Sequence, residues 1–298
     1  MIQQFDERNK DIHVWINGTL FHRNEAKVSV FDSVVQGGDS VWEGIRVYDN
    51  RIFCLKKHLQ RLMESAKSMD FKNIPTKEEI TEAIFSTLKE NNMRDETHIR
   101  LTLTRGEKIT SGMNPQLNQS GCTLIILAEW KPSIFYGKNL KLITSNIRRN
   151  SPLCLDSKIH HNNLINNILA KIESNHAGAD DALMLDLDGF VSETNATNVF
   201  MIKNGEVFTP FPKACLPGIT RETVINICRN NSILIQEKDI SVTEMYNADV
   251  VFTTGTMGEL ARVIEIDNRK IENKGELFSK IQTLFRKLTE KEGTALPF

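Results

Sequence analysis

A lysine, an acid and two glycine turns are the residues whose types and order could do chemistry in this chain. Lys158 stands in "LDSKIHHNNLINNILAKI", residues 155–172. Glu193 follows thirty-five residues later in "VSETNATNVF". Twenty-five residues further on, "LPGITRETVI" turns at Gly218 into an expected helix. Such a turn aims the backbone N–H groups of Ile219 and Thr220 at an anion, and the helix dipole favours negative charge there. Thr256 and Met257 lie in "TTGTMGE", a hydroxyl-rich turn of the kind that cradles phosphate. An amine, an isolated carboxylate and two anion cradles meet the needs of pyridoxal 5'-phosphate. That cofactor requires an amine for its aldehyde, a carboxylate to hold its ring nitrogen protonated, and a phosphate cup. Taken singly, each feature also has a plain reading. A lone lysine is a solvated surface charge, and a lone Gly-Ile-Thr is only a turn.

His160 and His161 raise a metal reading, because they are adjacent at the start of what reads as a helix. Neighbouring residues on a helix point about 100° apart and cannot share one ion. Polar residues that satisfy free backbone donors at a helix start are the simpler account. No metal is expected.

The rest of the composition narrows the classes. The chain has 298 residues and a net charge of −1, which leaves no electrostatic footprint for nucleic acid or an anionic membrane. No apolar run approaches the roughly 20 residues of a membrane span. The opening "MIQQFDERNKDIHVW" is polar, so a secretory leader is not expected. Five scattered cysteines with no C-x-x-C pair suit reduced thiols in a cytoplasmic protein.

The elements that must position Lys158 and Glu193 are strands then helices, twice over. Asn17-Gly18 predicts a hairpin within 13–31. "VWEGIRVYDNRIFCL" predicts two strands about an Asp49-Asn50 turn, and "KKHLQRLMESAKSM" an amphipathic helix. Thr76 and Glu79 form a capping box for a second helix. "THIRLTLTRG" and "CTLIILAEW" read as strands. After "KPSIFYGKN" come a strand, the Lys158 segment, a strand meander around Asp188-Gly189 and Asn204-Gly205, a helix, two strands and a closing amphipathic helix. This order predicts an α+β fold with mostly antiparallel sheets. The expected division is 1–130, a linker at 131–139, and 140–298. No G-x-G-x-x-G and no Walker loop is present.

Together "VWEGIRVY", "HLQRL", Lys158, "VSETNATNVF", "LPGITR" and "TGTMGE" resemble the class IV pyridoxal-phosphate aminotransferases, from about Trp15 to Val263. The resemblance implies a small N-terminal α/β domain and a larger C-terminal pseudo-barrel domain, the D-amino-acid aminotransferase-like fold, in a homodimer. It implies that Lys158 bonds the cofactor and that Glu193 meets the pyridine nitrogen. It also implies that Arg61, Ile219, Thr220 and Thr256 hold the phosphate. Asn198 matches a family asparagine without an assigned role.

Substrate markers are mixed. "VWEGIRVY", Arg100 and the Gly-Met-Asn-Pro loop resemble the branched-chain enzymes, and the substrate side is expected at Arg100, Gly37, His98 and Met257. Those enzymes commonly carry tyrosines where this chain has Gly37, His98 and Asn163. "LTRG" leans toward the D-amino-acid aminotransferases and aminodeoxychorismate lyase. The expected chemistry is transfer of an amino group between an amino acid, of the branched-chain L class, and a 2-oxo acid. A D-amino-acid aminotransferase, a lyase releasing pyruvate, and a non-catalytic cofactor binder are the alternatives. The strand "THIRLTLTRG" should place Arg100 on a polar face with His98, opposite Ile99, Leu101 and Leu103. Arg100 would then order a substrate carboxylate, or simply pair with Glu96.

Overall fold

Asn17 and Gly18 adopt φ values of 45° and 94° in the computed structural model, which describes residues 5–132 and 139–298. These left-handed values suit a two-residue hairpin, and β1 (His13–Ile16) pairs antiparallel with β2 (Thr19–His22). A short helix, α1 (Ser33–Gly37), leads into β3 (Ser40–Tyr48) and β4 (Arg51–Ile52). Two amphipathic helices follow, α2 (Leu55–Ser68) and α3 (Lys77–Glu90). The Thr76–Glu79 capping box forms as its spacing predicts. β5 (Thr97–Thr104) and β6 (Thr123–Trp130) complete the N-terminal run.

These strands and the C-terminal strand Thr294–Ala295 make one antiparallel seven-stranded sheet. Its order is Thr294–Ala295, β4, β3, β5, β6, β1, β2. Ile99, Leu101 and Leu103 on β5 are fully buried with Leu59 and Leu62 of α2 and Ile80, Ile84 and Leu88 of α3. Each such side chain contributes about 1.5–3 kcal/mol on burial, so this face fixes the register. The opposite face is left to Arg46, His98 and Arg100.

The chain forms two compact units. One contains the described residues up to Pro132, together with Ile159–Asn163 and Glu290–Phe298. The other contains the described residues to Lys158 and then Leu164–Thr289. Residues 133–138 of the expected 131–139 linker lie outside the described residues.

The second unit holds β7 (Asn139–Thr144), α4 (Ile165–His176), β8 (Asp181–Leu185), β9 (Val191–Thr194), β10 (Asn198–Lys203) and β11 (Glu206–Thr209). It continues with α5 (Ile219–Asn230), β12 (Ile235–Glu237), α6 (Val242–Tyr246), β13 (Val250–Gly255), β14 (Glu259–Ile266), β15 (Arg269–Lys270) and α7 (Leu277–Lys291). Its sheet runs β12, β11, β10, β13, β14, β7, β8, β9, with β15 on β14. The meander supplies antiparallel pairs, but β11–β12, β14–β7 and β7–β8 are parallel. A parallel neighbour needs a crossover, and α4 provides one between β7 and β8. The fold is α+β, as the order of elements predicts, with more parallel pairing than expected. Among the described residues no helix is long and apolar enough to cross a membrane.

The helix expected from residue 155 begins only at Ile165. Asp156 turns the chain first, accepting the Lys158 N–H at 3.0 Å. Residues 159–163 are then drawn out along β3. The Trp42 N–H donates to the His160 carbonyl and the Asn162 N–H to the Ser40 carbonyl, both at 2.9 Å. The two histidines therefore cap no helix.

Candidate active site

In the C-terminal unit the site grows from the β9–β10 hairpin. Glu193 lies within β9, and Asn198 opens β10 after a turn closed by Thr194 and Thr197. Both side chains are buried. Asn198 Nδ2 donates to Glu193 Oε2 at 3.2 Å and to the Leu216 carbonyl at 2.9 Å. One asparagine thus ties the acid to the turn that starts α5. Gly218 is required there for space, because a Cβ would lie 2.1 Å from Asn198 Oδ1. Gly255 permits a similar approach, since its Cβ would meet Thr197 Cγ2 at 2.9 Å. The Thr256–Met257 turn is thereby brought beside the same hairpin.

Arg149 is the other partner of the acid. Its Nε donates to Glu193 Oε1 at 2.9 Å, and its Nη2 to Ser157 Oγ at 3.0 Å. Its Nη1 donates to Asn166 Oδ1 at 2.7 Å and Asn167 Oδ1 at 3.3 Å. A buried guanidinium therefore links Glu193 to the residue before Lys158. Burial pushes the Glu193 carboxyl up to about 7, although Arg149 pulls it down. The acid is poised near neutrality, and Arg149 is the group that keeps it from rising further. Lys158 itself is exposed.

In the N-terminal unit the centre is Glu43 on β3, which is fully buried. Arg61 of α2 grips it with two parallel bonds, Nε to Oε1 and Nη2 to Oε2, each 2.7 Å. His58 Nδ1 lies 2.7 Å from Oε2, and His160 Nδ1 lies 3.3 Å from Oε1. Burial opposes ionisation of Glu43, but the charges of His160 and Arg61 outweigh it and hold the carboxyl well below the ordinary range. Burial also holds His160 down at about 4, so Arg61 is the cation that matters at neutral pH. His160 further stacks against Trp42, ring centres 4.1 Å apart.

Arg100 has a different environment from the simple surface pairing. Its guanidinium lies 3.4 Å above the Trp42 ring, and Nη2 donates to Asn162 Oδ1 at 2.5 Å. Glu96 pairs instead with Arg8. Burial lowers the Arg100 guanidinium to about 10, so it stays charged at pH 7. The strand alternation is as expected, with Ile99, Leu101 and Leu103 in the core. His98 is buried on the opposite face with Arg100. Gly37 ends α1, exposed, with nothing within 4 Å of where its Cβ would be.

Sequence reasoning missed Arg149, Glu43 and Asn162. Glu43 was present in the quoted "VWEGIRVY", where a charged residue among strand formers is an anomaly in a central strand. In the sequence Asn162 reads as part of a helix start, yet it binds Arg100 and Ser40. Arg149 carries no local signal, because its partners come from three other segments.

The residues fit pyridoxal phosphate. Gly218 offers α5 no side-chain cap, which leaves the Ile219 and Thr220 N–H groups for an anion. Thr254 Oγ1 and Ser192 Oγ are buried without a hydrogen-bond partner among the described residues. Both are hydroxyls beside the turn and the acid, where such groups call for a polar ligand or water. Among the described residues no cluster of three or more His, Cys, Asp or Glu could hold a metal ion.

Comparison with known proteins shows the family. The family model for amino-transferase class IV matches residues 40–266. The chain is 56% identical over 292 residues to branched-chain-amino-acid aminotransferase-like protein 2 of Arabidopsis thaliana. That match covers 97% of this chain and 52% of the plant protein, so the chain spans about half the length of that relative. It is 33% identical to the branched-chain-amino-acid aminotransferase of Pseudomonas aeruginosa, covering 93% of this chain and 92% of the other. Among solved structures it is similar to the branched-chain aminotransferase from the thermophilic archaeon Thermoproteus uzoniensis with norvaline. The TM-score is 0.87, with 30% identity, covering 95% of this chain and 96% of the other.

Proposed function

Because the chain belongs to the class IV aminotransferases, we propose that it is a pyridoxal-phosphate-dependent transaminase. It moves an amino group between an amino acid of the branched-chain class and a 2-oxo acid. The names of its relatives support the substrate class. The observation that carries the reading is the chain of bonds from Ser157 through Arg149, Glu193 and Asn198 to the α5 turn. That chain sets an acid in fixed relation to the segment bearing the amine and to an uncapped helix start.

When bound, the cofactor supplies an electron sink for the bond that breaks at the substrate Cα. The residues of the chain then divide the work. Lys158 would hold the cofactor through its amine and, once free, would act as the general base that takes the proton from the substrate Cα. Glu193 holds the proton on the pyridine nitrogen, and Arg149 keeps that carboxylate ionised and aimed. The N–H groups of Ile219 and Thr220, with Thr256 and Arg61, hold the phosphate. Glu43 fixes the direction of Arg61 by its two-point grip. Arg100, held flat against Trp42, orders a substrate carboxylate.

A panel of L- and D-amino acids and simple amines tests this, scored by bleaching of the cofactor's visible band. Bleaching by leucine, isoleucine or valine with release of the 2-oxo acid is expected. Pyruvate released from aminodeoxychorismate without an acceptor would move the protein to the lyases. No bleaching by any amine would leave only a cofactor binder.

The reading includes a homodimer. Ile165, Ile168, Leu169 and Ile172 of α4 are 60%, 49%, 45% and 43% exposed. Their spacing puts them on one helix face, an apolar stripe that a second copy would cover. Ile168→Lys should shift the sedimentation mass to the monomer; an unchanged dimer would remove α4 from the interface. A cytoplasmic setting is supported by five cysteines that remain thiols.

A further inference from the structure

In the N-terminal sheet, β6 carries apolar residues on both of its faces. Leu124, Ile126 and Ala128 are buried in the core with the residues of α2 and α3. Ile125 and Leu127 alternate with them and turn to the other face, where they are half-buried. Ile16 of β1 pairs directly with Ile125, and Val14 lies two residues away on the same face of its strand. An antiparallel sheet packed on helices at one face is ordinarily polar at the other. A second aliphatic face therefore calls for an occupant.

The chain after β2 closes over this face. The Arg23 N–H donates to the Ile12 carbonyl at 2.9 Å, and the Ala26 N–H to the His22 carbonyl at 3.0 Å. Between residues 23–28 and the two strands lies a cavity of about 310 Å³, with Val14, Ile16, Ile125 and Leu127 in its lining. Pockets for small molecules begin at about this size. Trp42, His98 and Arg100 are not among its walls, and Arg100 leans the other way, onto Trp42 of β3. Three charged side chains border the cavity, Arg23, Lys27 and Glu129. Glu129 is paired with Lys131 at 3.7 Å. The Arg23 guanidinium is half-buried, donates to the Asn9 carbonyl and faces the Phe5 ring at 5.2 Å. Asn9 is itself buried and fixed, since its amide exchanges bonds of 2.8 and 2.9 Å with the Trp130 backbone. Arg23 is thus anchored through one nitrogen, and a guanidinium carries five donors. Among the described residues neither Arg23 nor Lys27 has an ion-pair partner.

We infer that this cavity binds a small aliphatic carboxylate, with its chain along Ile125 and Leu127 and its carboxylate at Arg23 and Lys27. A guanidinium can hold both oxygens of a carboxylate at once. The same chemistry disfavours a free amino acid. Glu129 is the one acid at the cavity, and it is already held by Lys131, so an ammonium would find no partner. The inference goes beyond the transaminase reading and does not depend on it. Two sources share this chemistry, a fatty acid and an aliphatic 2-oxo acid.

The test uses the holoenzyme, with Arg23→Met and Ile125→Trp beside the parent protein. Titration calorimetry follows octanoate and its uncharged analogue 1-octanol. Arg23→Met should weaken octanoate at least tenfold and leave 1-octanol unchanged, because the apolar walls remain. Ile125→Trp, which fills the cavity, should weaken both at least tenfold. No binding of octanoate to the parent protein, or unchanged binding in either variant, would overturn the assignment. Equal loss of octanoate and 1-octanol in Arg23→Met would also overturn it, because the arginine would then act only on the fold. A sedimentation mass that falls in Ile125→Trp would make this face an interface between copies, with the same consequence. Titration with 4-methyl-2-oxopentanoate separates the two sources. A binding step that Arg23→Met removes identifies a 2-oxo acid as occupant, and no such step leaves the fatty acid.

Discussion

Arg149 Nε lies 2.9 Å from Glu193 Oε1, and both side chains are buried. An ion pair removed from water is strongly sensitive to the loss of either partner. Arg149→Met should therefore drive the Glu193 carboxyl above its present value of about 7. At pH 7.5 we expect kcat to fall at least tenfold, about 1.4 kcal/mol of barrier. Part of that loss should return as the pH is raised and Glu193 ionises. A kcat–pH profile of the same shape as the parent's would show that Arg149 does not govern the acid.

Glu193→Gln removes the charge while keeping the shape. We expect kcat to drop by on the order of 10²-fold, a few kcal/mol. Cofactor retention on dialysis should change much less, because Ile219, Thr220 and Arg61 are untouched. Near-normal turnover would mean that another group protonates the ring.

The same carboxyl should leave a mark on stability. In the cofactor-free protein it titrates near 7, against an ordinary value of 4.5. Its folded pKa is raised, so folding takes up a proton across that window. The resulting stabilisation is full below about 4.5 and is lost as pH rises through 7, on the order of 3 kcal/mol in all. Glu193→Gln cannot titrate. The denaturation midpoint of the parent should therefore fall relative to Glu193→Gln between pH 5 and pH 8. A constant difference would show that the buried acid ionises as readily as in the unfolded chain.

Arg100→Ala should raise KM for amino acids at least tenfold, about 1.4 kcal/mol of binding. Arg100→Lys should recover little, because an ammonium cannot lie flat on Trp42 while reaching Asn162. Pyridoxal phosphate affinity should not change. Equal effects on an amino acid and a simple amine would make Arg100 a structural residue.

The sequence was most legible where the signal was local. The Asn17-Gly18 hairpin, the Thr76–Glu79 capping box and the alternation of β5 each follow from neighbouring residues, and each forms as expected. The uncapped start of α5 also followed, since Gly218 announces it. Legibility failed where tertiary contacts decide. Residues 159–163 look like a polar helix start, but pairing with Ser40 and Trp42 draws them out as an extended segment. Glu43 reads as a misplaced charge until Arg61, His58 and His160 are seen around it. Arg149 gave no sign, because Glu193, Ser157 and the Asn166–Asn167 pair converge on it only in the fold. The parallel pairs of the second sheet depend on the α4 crossover, which sequence order alone did not assign.

All of these roles depend on Lys158 as the residue that carries the cofactor. Reduction of the holoenzyme with borohydride, followed by proteolysis and peptide mass mapping, tests this directly. The pyridoxyl group should be found on the Lys158 peptide, and Lys158→Ala should leave no lysine labelled. A pyridoxyl group on any other lysine would contradict the account, together with the functions given to Glu193 and Arg149.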